Sequence, residues 1–290
     1  MSTVGDSVAT LRDEPAVTPL DWGLMRRQLA GILRLELVKS LLSRRALALY
    51  FLAFAPVALV LVWSLTPFPK QRFDGPADAM HMYVNLLPAY LQACVFLSAV
   101  FLFTNLFRAD ILERSLHYYL LTPLRREVLV AGKYLAALIA SSAVFSLGTA
   151  LFFIFTCWPW GLGELFRYLF NDRGLGHLLG YELVVVLACA GYGALFLLVG
   201  QLFRNPVIPA ALLFVWEGVN FLLPPLLKKI SVIHYLRSIY PIPVNEGPFA
   251  TPAEPTPAWL SVPGLLIFTG LVLTLAAWRM RRMDVSYGGE

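Results

Sequence analysis

Residues 129–156 read LVAGKYLAALIASSAVFSLGTALFFIFT, and Lys133 is the only charge among them. A helix crossing about 30 Å of hydrocarbon needs about 20 mostly apolar residues. This stretch is longer than that, so it reads as a transmembrane helix. Five more runs have the same character: Ala46 to Leu65, Leu86 to Phe107, Leu178 to Phe203, Val207 to Leu227 and Trp259 to Trp278. Continuous apolar runs exclude a barrel, whose strands alternate and are short. In lipid a helix satisfies its own backbone polar groups. The expected fold is therefore an all-α integral membrane protein with six transmembrane helices.

Composition agrees with that expectation. Of the 290 residues 58% are hydrophobic and 14% charged, whereas soluble domains are about 45–50% apolar and about 25% charged. The formal charge is +5, and its distribution sets the orientation. With the N-terminus inside, cytoplasmic segments hold sixteen of the 23 Lys and Arg residues. The positive-inside rule then places both termini in the cytoplasm. The first 45 residues lack a signal-peptide pattern, so the first span is expected to be the targeting signal. Cys94, Cys157 and Cys189 are odd in number, scattered and mostly inside the spans, which points to packing rather than a disulfide framework.

The chain divides as follows. Residues 1–21 read as a disordered cytoplasmic tail, 46–283 as the membrane domain and 284–290 as a second tail. Residues 22–45 mix Trp22, Met25, Leu29, Ile32, Leu33 and Leu37 with Arg26, Arg27, Arg34, Lys39, Arg44 and Arg45. That is the composition of a basic helix in the inner interface, an elbow leading into the first span. Residues 66–85 read as a polar connection, and 158–177 as a glycine-containing turn with aromatics suited to the headgroup layer. Leu226 to Tyr240 has apolar residues at helical spacing and is expected to form an amphipathic helix on the outer surface. The following PIPVNEGPFATPAEPTPAW has too many prolines for a regular helix. Ala136/Ala140, Ala137/Ser141 and Ala190/Ala194 form small-xxx-small pairs of the kind that let membrane helices approach closely.

Several chemistries find no support. A nucleotide site would need GxxxxGK followed by Ser or Thr. Here Gly132-Lys133 is followed by Tyr134, and Glu127 stands where the first glycine belongs. The chain is thus expected to bind no cofactor and to be no enzyme by itself. All four histidines fall in loops or at span ends, and no Asp lies mid-span, which argues against catalysis within the bilayer. Glu217 is the one acid placed mid-span, with Asn220 three residues on. An ionisable group there costs about 2.5–3.5 kcal/mol on insertion scales, so it is a functional candidate. It either hydrogen-bonds a neighbouring helix or lines a substrate path.

The stretch preceding the third span, residues 113–133, reads ERSLHYYLLTPLRREVLVAGK. Asp110/Arg114 and Glu113/His117 are spaced for helical pairing, Pro123 ends that helix, and Lys133 can snorkel at the span's mouth. Glu113, Leu116, Leu120, Thr122-Pro123, Arg126 and Gly132-Lys133 together resemble the cytoplasmic loop of ABC-2 type transporter permeases. Arg114-Ser115 and His117 depart from the usual Gly-Thr and following acid.

The resemblance implies a permease subunit of an ABC exporter in the cell inner membrane. Its loop would be a coupling helix between spans two and three, in which Glu113, Leu116, Leu120, Thr122, Pro123 and Arg126 meet a separate ATP-binding subunit. Gly132 and Lys133 would open the third span. ATP and Mg would belong to that partner, a second permease subunit would complete a homodimer or heterodimer, and no nucleic acid would be involved. The cargo would be amphipathic or lipid-like and move by efflux. The alternatives are a secondary transporter or channel using Glu217 and Asn220, or a membrane scaffold.

Overall fold

A computed structural model describes residues 22–43, 46–112, 126–203, 205–242 and 256–282. Among these residues the chain is helical throughout, without strands. The helices in order are α1 (Trp22–Leu42), α2 (Ala46–Ser64), α3 (Phe68–Arg72), α4 (Pro76–Ala89) and α5 (Phe96–Leu112). Then come α6 (Arg126–Cys157), α7 (Leu162–Asn171), α8 (Gly174–Leu202), α9 (Val207–Gly218), α10 (Pro225–Lys228), α11 (Val232–Ser238) and α12 (Ala258–Arg281). Both expected tails, the stretch from Glu113 to Arg125 and residues 243–255 lie outside the described residues.

Five helical segments are long and apolar enough to cross a membrane: 46–64, 76–108, 126–160, 174–202 and 258–281. The second begins ten residues before the apolar run, because Gly75 and Pro76 start a helix within the stretch expected to be a polar connection. A π-turn over Tyr90–Val95 interrupts it, one residue after Ala89 and just beyond Pro88. Proline removes a backbone donor, and a π-bulge is one way a membrane helix absorbs that loss.

α6 and α8 form the centre. α8 packs against α5, α6 and α12, while α2 and α1 lie against α6. Close approach depends on small residues. A Cβ on Gly200 would lie 2.6 Å from the Thr104 carbonyl oxygen, and one on Gly193 would lie 2.5 Å from Phe103. The Ala136, Ala137, Ala140, Ser141, Ala190 and Ala194 stripes are all buried within the chain. Cys94, Cys157 and Cys189 are free and buried, as packing residues are.

The fifth apolar run departs from expectation. It is not one helix: α9 stops at Gly218, a 3-10 turn covers Asn220–Leu222, and Pro224-Pro225 start the four-residue α10. Twelve residues rise about 18 Å, well short of the roughly 30 Å core. Leu226 to Tyr240 is likewise not one surface helix. It forms α10 and α11, and Val232, Ile233, His234 and Leu236 are buried. Apolar spacing reported amphipathicity there; α11 meets protein on several sides, while Leu226 and Ile230 before it are exposed.

Aromatic and glycine contacts trace the path of this broken segment along α8. Phe96 bridges it low down, with ring centroids 5.3 Å from Phe214 on α9 and 4.9 Å from Phe196 on α8. A Cβ on Gly191 would be 3.2 Å from Val232, and Pro241 packs onto Gly180. So α9 runs from the Leu202 end of α8 to its middle. From that level α11 continues to the other end, antiparallel to α8.

Candidate functional site

The sequence candidates fall into two places: the start of α6 and the break between α9 and α11. Glu113, Leu116, Leu120, Thr122 and Pro123 lie outside the described residues, between the end of α5 and the start of α6.

At the start of α6, Arg126 turns onto α12. Its guanidinium donates to the carbonyl oxygens of Met280 at 3.1 Å and Arg281 at 2.9 Å. A helix leaves its last four carbonyls without internal donors, and a cation there also suits the helix dipole. Glu127, the next residue, pairs with Arg281. Arg126, expected as a contact to a partner, thus also caps a helix of its own chain.

A turn and a half further on, Gly132 and Lys133 receive α1. A Cβ on Gly132 would lie 2.8 Å from Ile32 Cγ2 and 3.4 Å from Leu29 Cδ1, so these side chains rest on bare backbone. Lys133 is fully buried and ion-paired with buried Glu36, and its ammonium stands 5.7 Å from the Phe107 ring centroid of α5. This corrects the expectation that Lys133 snorkels to the interface. Burying an ammonium costs several kcal/mol unless an anion answers it, and Glu36 is that anion. Leu29, Ile32, Glu36 and Ser40 recur at three- or four-residue spacing and make the face of α1 turned inward. The first two turns of α6 therefore hold α1, α5 and α12 together.

At the break, the Glu217 carboxylate is buried and four donors converge on it. Val232 N–H donates to Oε1 at 3.1 Å. Ile233 N–H at 3.0 Å, the Ser231 hydroxyl at 2.8 Å and the Tyr192 hydroxyl at 3.1 Å donate to Oε2. A carboxylate offers about four acceptor positions, two on each oxygen; three of these donors crowd Oε2 and one meets Oε1. Two of the donors are the first backbone N–H groups of α11, which have no partner inside their helix. Glu217, near the end of α9, therefore caps α11 from across the break and ties both to α8 through Tyr192.

Asn220, three residues after Glu217, would share its face if the run were one helix. Because α9 ends at Gly218 it sits instead in the 3-10 turn, buried, with Nδ2 donating to the Lys228 carbonyl at 3.3 Å. Both residues thus hold the folded-back segment rather than lining one face. Opposite them, the π-turn supplies Gln92, whose Nε2 lies 3.5 Å from the Phe214 carbonyl. A Cβ on Gly218 would come within 2.6 Å of that nitrogen, so glycine leaves room for it. His234 of α11 is within hydrogen-bond distance of Thr256, 3.1 Å away before α12.

Sequence reasoning missed Glu36, Tyr192 and Ser231. Glu36 was legible as the one acid in a basic helix, four residues from both Ile32 and Ser40. Tyr192 and Ser231 had no local signal, since their roles depend on where a distant carboxylate ends up. In comparisons with known proteins, no family model and no curated protein matches the chain.

Proposed function

We propose that the chain is the transmembrane subunit of an ATP-binding cassette exporter of the ABC-2 type. It would work beside a second permease subunit, with ATP and Mg held by a separate ATPase. The observation that carries this reading is the grip at the start of α6. The stretch from Glu113 to Arg125 is followed directly by Arg126 and Glu127 on α12, then by Gly132 and Lys133 on α1, with Phe107 of α5 at the same level. A push on that stretch would arrive at a point where four helices are joined and move them as a body, in the manner of rigid-body switching. A loop serving only to connect two spans has no need of such a junction.

In this proposal both termini are cytoplasmic and the chain crosses the cell inner membrane six times. The fifth crossing is discontinuous: α9 and α11 together rise about 28 Å, close to the hydrocarbon thickness. The cargo is amphipathic or lipid-like in this reading, which is supported by spans rich in aromatic residues and poor in charge. A proton-coupled carrier built on Glu217 is less favoured, because four donors already occupy its carboxylate.

The test is isolation of the chain from its native membrane with and without Glu113→Arg. The expected result is co-isolation of an ATP-hydrolysing subunit whose turnover falls with that substitution. Export that continues in ATP-depleted vesicles under an ion gradient would overturn the proposal.

A further inference from the structure

The stretch from Trp158 to His177, expected to be a turn, contains a ten-residue helix, α7. Its two corners are set by left-handed residues, Gly161 at φ 91° and Arg173 at φ 64°. Such a φ is uncommon away from glycine, so the bend at Arg173 is held by its surroundings. One hold is visible: Gly174 packs so closely that a Cβ there would meet the Tyr168 carbonyl oxygen at 2.7 Å.

Successive residues of a helix turn by about 100°, and on that wheel α7 divides into three arcs. Leu165 and Tyr168, each 4% exposed, face the bundle. Tyr168 reaches the Phe153 ring of α6 at 6.1 Å and the His177 ring nitrogen of α8 at 3.1 Å. Next around are Leu162, Phe166 and Phe170, 53%, 55% and 69% exposed, with the two phenylalanine rings stacked at 6.4 Å. The remaining arc carries Glu164, Arg167 and Asn171, the first two forming an exposed ion pair at 3.4 Å.

A helix at a protein–water boundary needs two arcs, apolar and polar. Here the apolar side is wider than the bundle covers, and its uncovered part is aromatic. The connections decide what covers it. α7 joins the end of α6 to the start of α8 with only the short Trp158–Trp160 turn and the Asp172–Arg173 bend between. It is therefore held at the level where two spans leave the hydrocarbon.

We infer that α7 is an interfacial helix lying where protein, lipid and water meet, with Leu162, Phe166 and Phe170 inserted among the acyl chains beneath the headgroups. The partner of this face is the lipid itself. Helices of this kind sink their apolar face about 5–10 Å into the headgroup and acyl boundary, and exposed Trp158 and Arg173 stand at its two ends to meet headgroups. By holding that depth, α7 fixes the height of α6 and α8 in the bilayer. The inference does not depend on what drives transport.

The experiment places an environment-sensitive fluorophore on the full-length chain at Phe166→Cys and, separately, at Arg167→Cys. The unsubstituted chain is the control for its three buried thiols. The protein is reconstituted into vesicles of equal parts phosphatidylcholine and phosphatidylglycerol. Quenching is then measured with aqueous iodide on both sides and with lipids carrying a nitroxide high on the acyl chain. The expected result is that lipid nitroxide quenches the Phe166→Cys adduct several-fold more than iodide does, with the order reversed for Arg167→Cys. Labels at Leu162→Cys and Phe170→Cys repeat the test independently. Iodide quenching equal at both sites would overturn the inference, as would a Phe166→Cys adduct shielded from both quenchers, since another protein surface would then cover this face.

Discussion

Replacing Glu217 by alanine removes the acceptor of two backbone N–H groups, those of Val232 and Ile233, deep inside the bundle. The Ser231 and Tyr192 hydroxyls can rotate toward other acceptors; the two amides cannot. Each buried donor left unmade costs about 1–3 kcal/mol, so α11 should lose about 2–6 kcal/mol of its hold on the break. Glu217→Gln should lose far less, because its amide oxygen can take the position of Oε2, where three donors meet, and leave only the Val232 side opposed by an NH2 group. Amide hydrogen exchange of the chain in bilayer discs reads this directly. At 1.4 kcal/mol per tenfold, exchange at Val232 and Ile233 should accelerate on the order of thirtyfold or more in Glu217→Ala. In Glu217→Gln exchange at Ile233 should stay close to the parent, while that at Val232, one donor left unmade, should accelerate by about tenfold. If both variants exchanged like the parent, the carboxylate would not be what holds α11. If the glutamine variant lost transport as completely as alanine while keeping slow exchange, Glu217 would be carrying protons and not capping a helix.

Single removal of either member of the Glu36–Lys133 pair, as Glu36→Gln or Lys133→Met, should destabilise the chain by about 3–5 kcal/mol, because the other charge stays buried. The double change Glu36→Met with Lys133→Met should recover most of that in a detergent unfolding titration; additive losses would show that the two do not interact. Gly132→Ala should cost about 1–3 kcal/mol by overpacking against Ile32, and combined with Ile32→Ala the loss should be smaller than the sum of the two single losses, whereas no effect of the single change would mean α1 is not seated there. Arg126→Ala should speed amide exchange in the last turn of α12 while leaving its middle protected, and unchanged protection of Arg281 and Arg282 would rule out the cap.

The spans were legible because hydropathy over a long window depends on composition alone, and Ala46 to Leu65 or Trp259 to Trp278 needs no knowledge of neighbours. The break in the fifth run was hidden by the same averaging. Gly218, Asn220 and Pro224-Pro225 all mark turns, yet the leucines and valines around them keep the mean apolar. Glu217 was legible as a buried acid that needed a reason, but its reason is a donor set from residues 231–233 that only the fold brings back to it. Lys133 misled because a lysine at a span end usually reaches for water. Its partner sits on a helix nearly a hundred residues earlier, in a segment that composition alone describes as a surface elbow. α7 was missed because its periodicity is short and lies between two glycine-flanked corners.

The most direct test of transport driven through the α6 junction is ATP hydrolysis by the complex isolated from its native membrane. It should be compared between the parent chain, Glu113→Arg, and the paired Glu36→Met and Lys133→Met chain, whose fold should survive. The predicted result is an ATPase subunit present with all three, with substrate-stimulated hydrolysis lost in Glu113→Arg and weakened in the paired variant. Full stimulation in Glu113→Arg, or no associated ATPase with the parent chain, would contradict it.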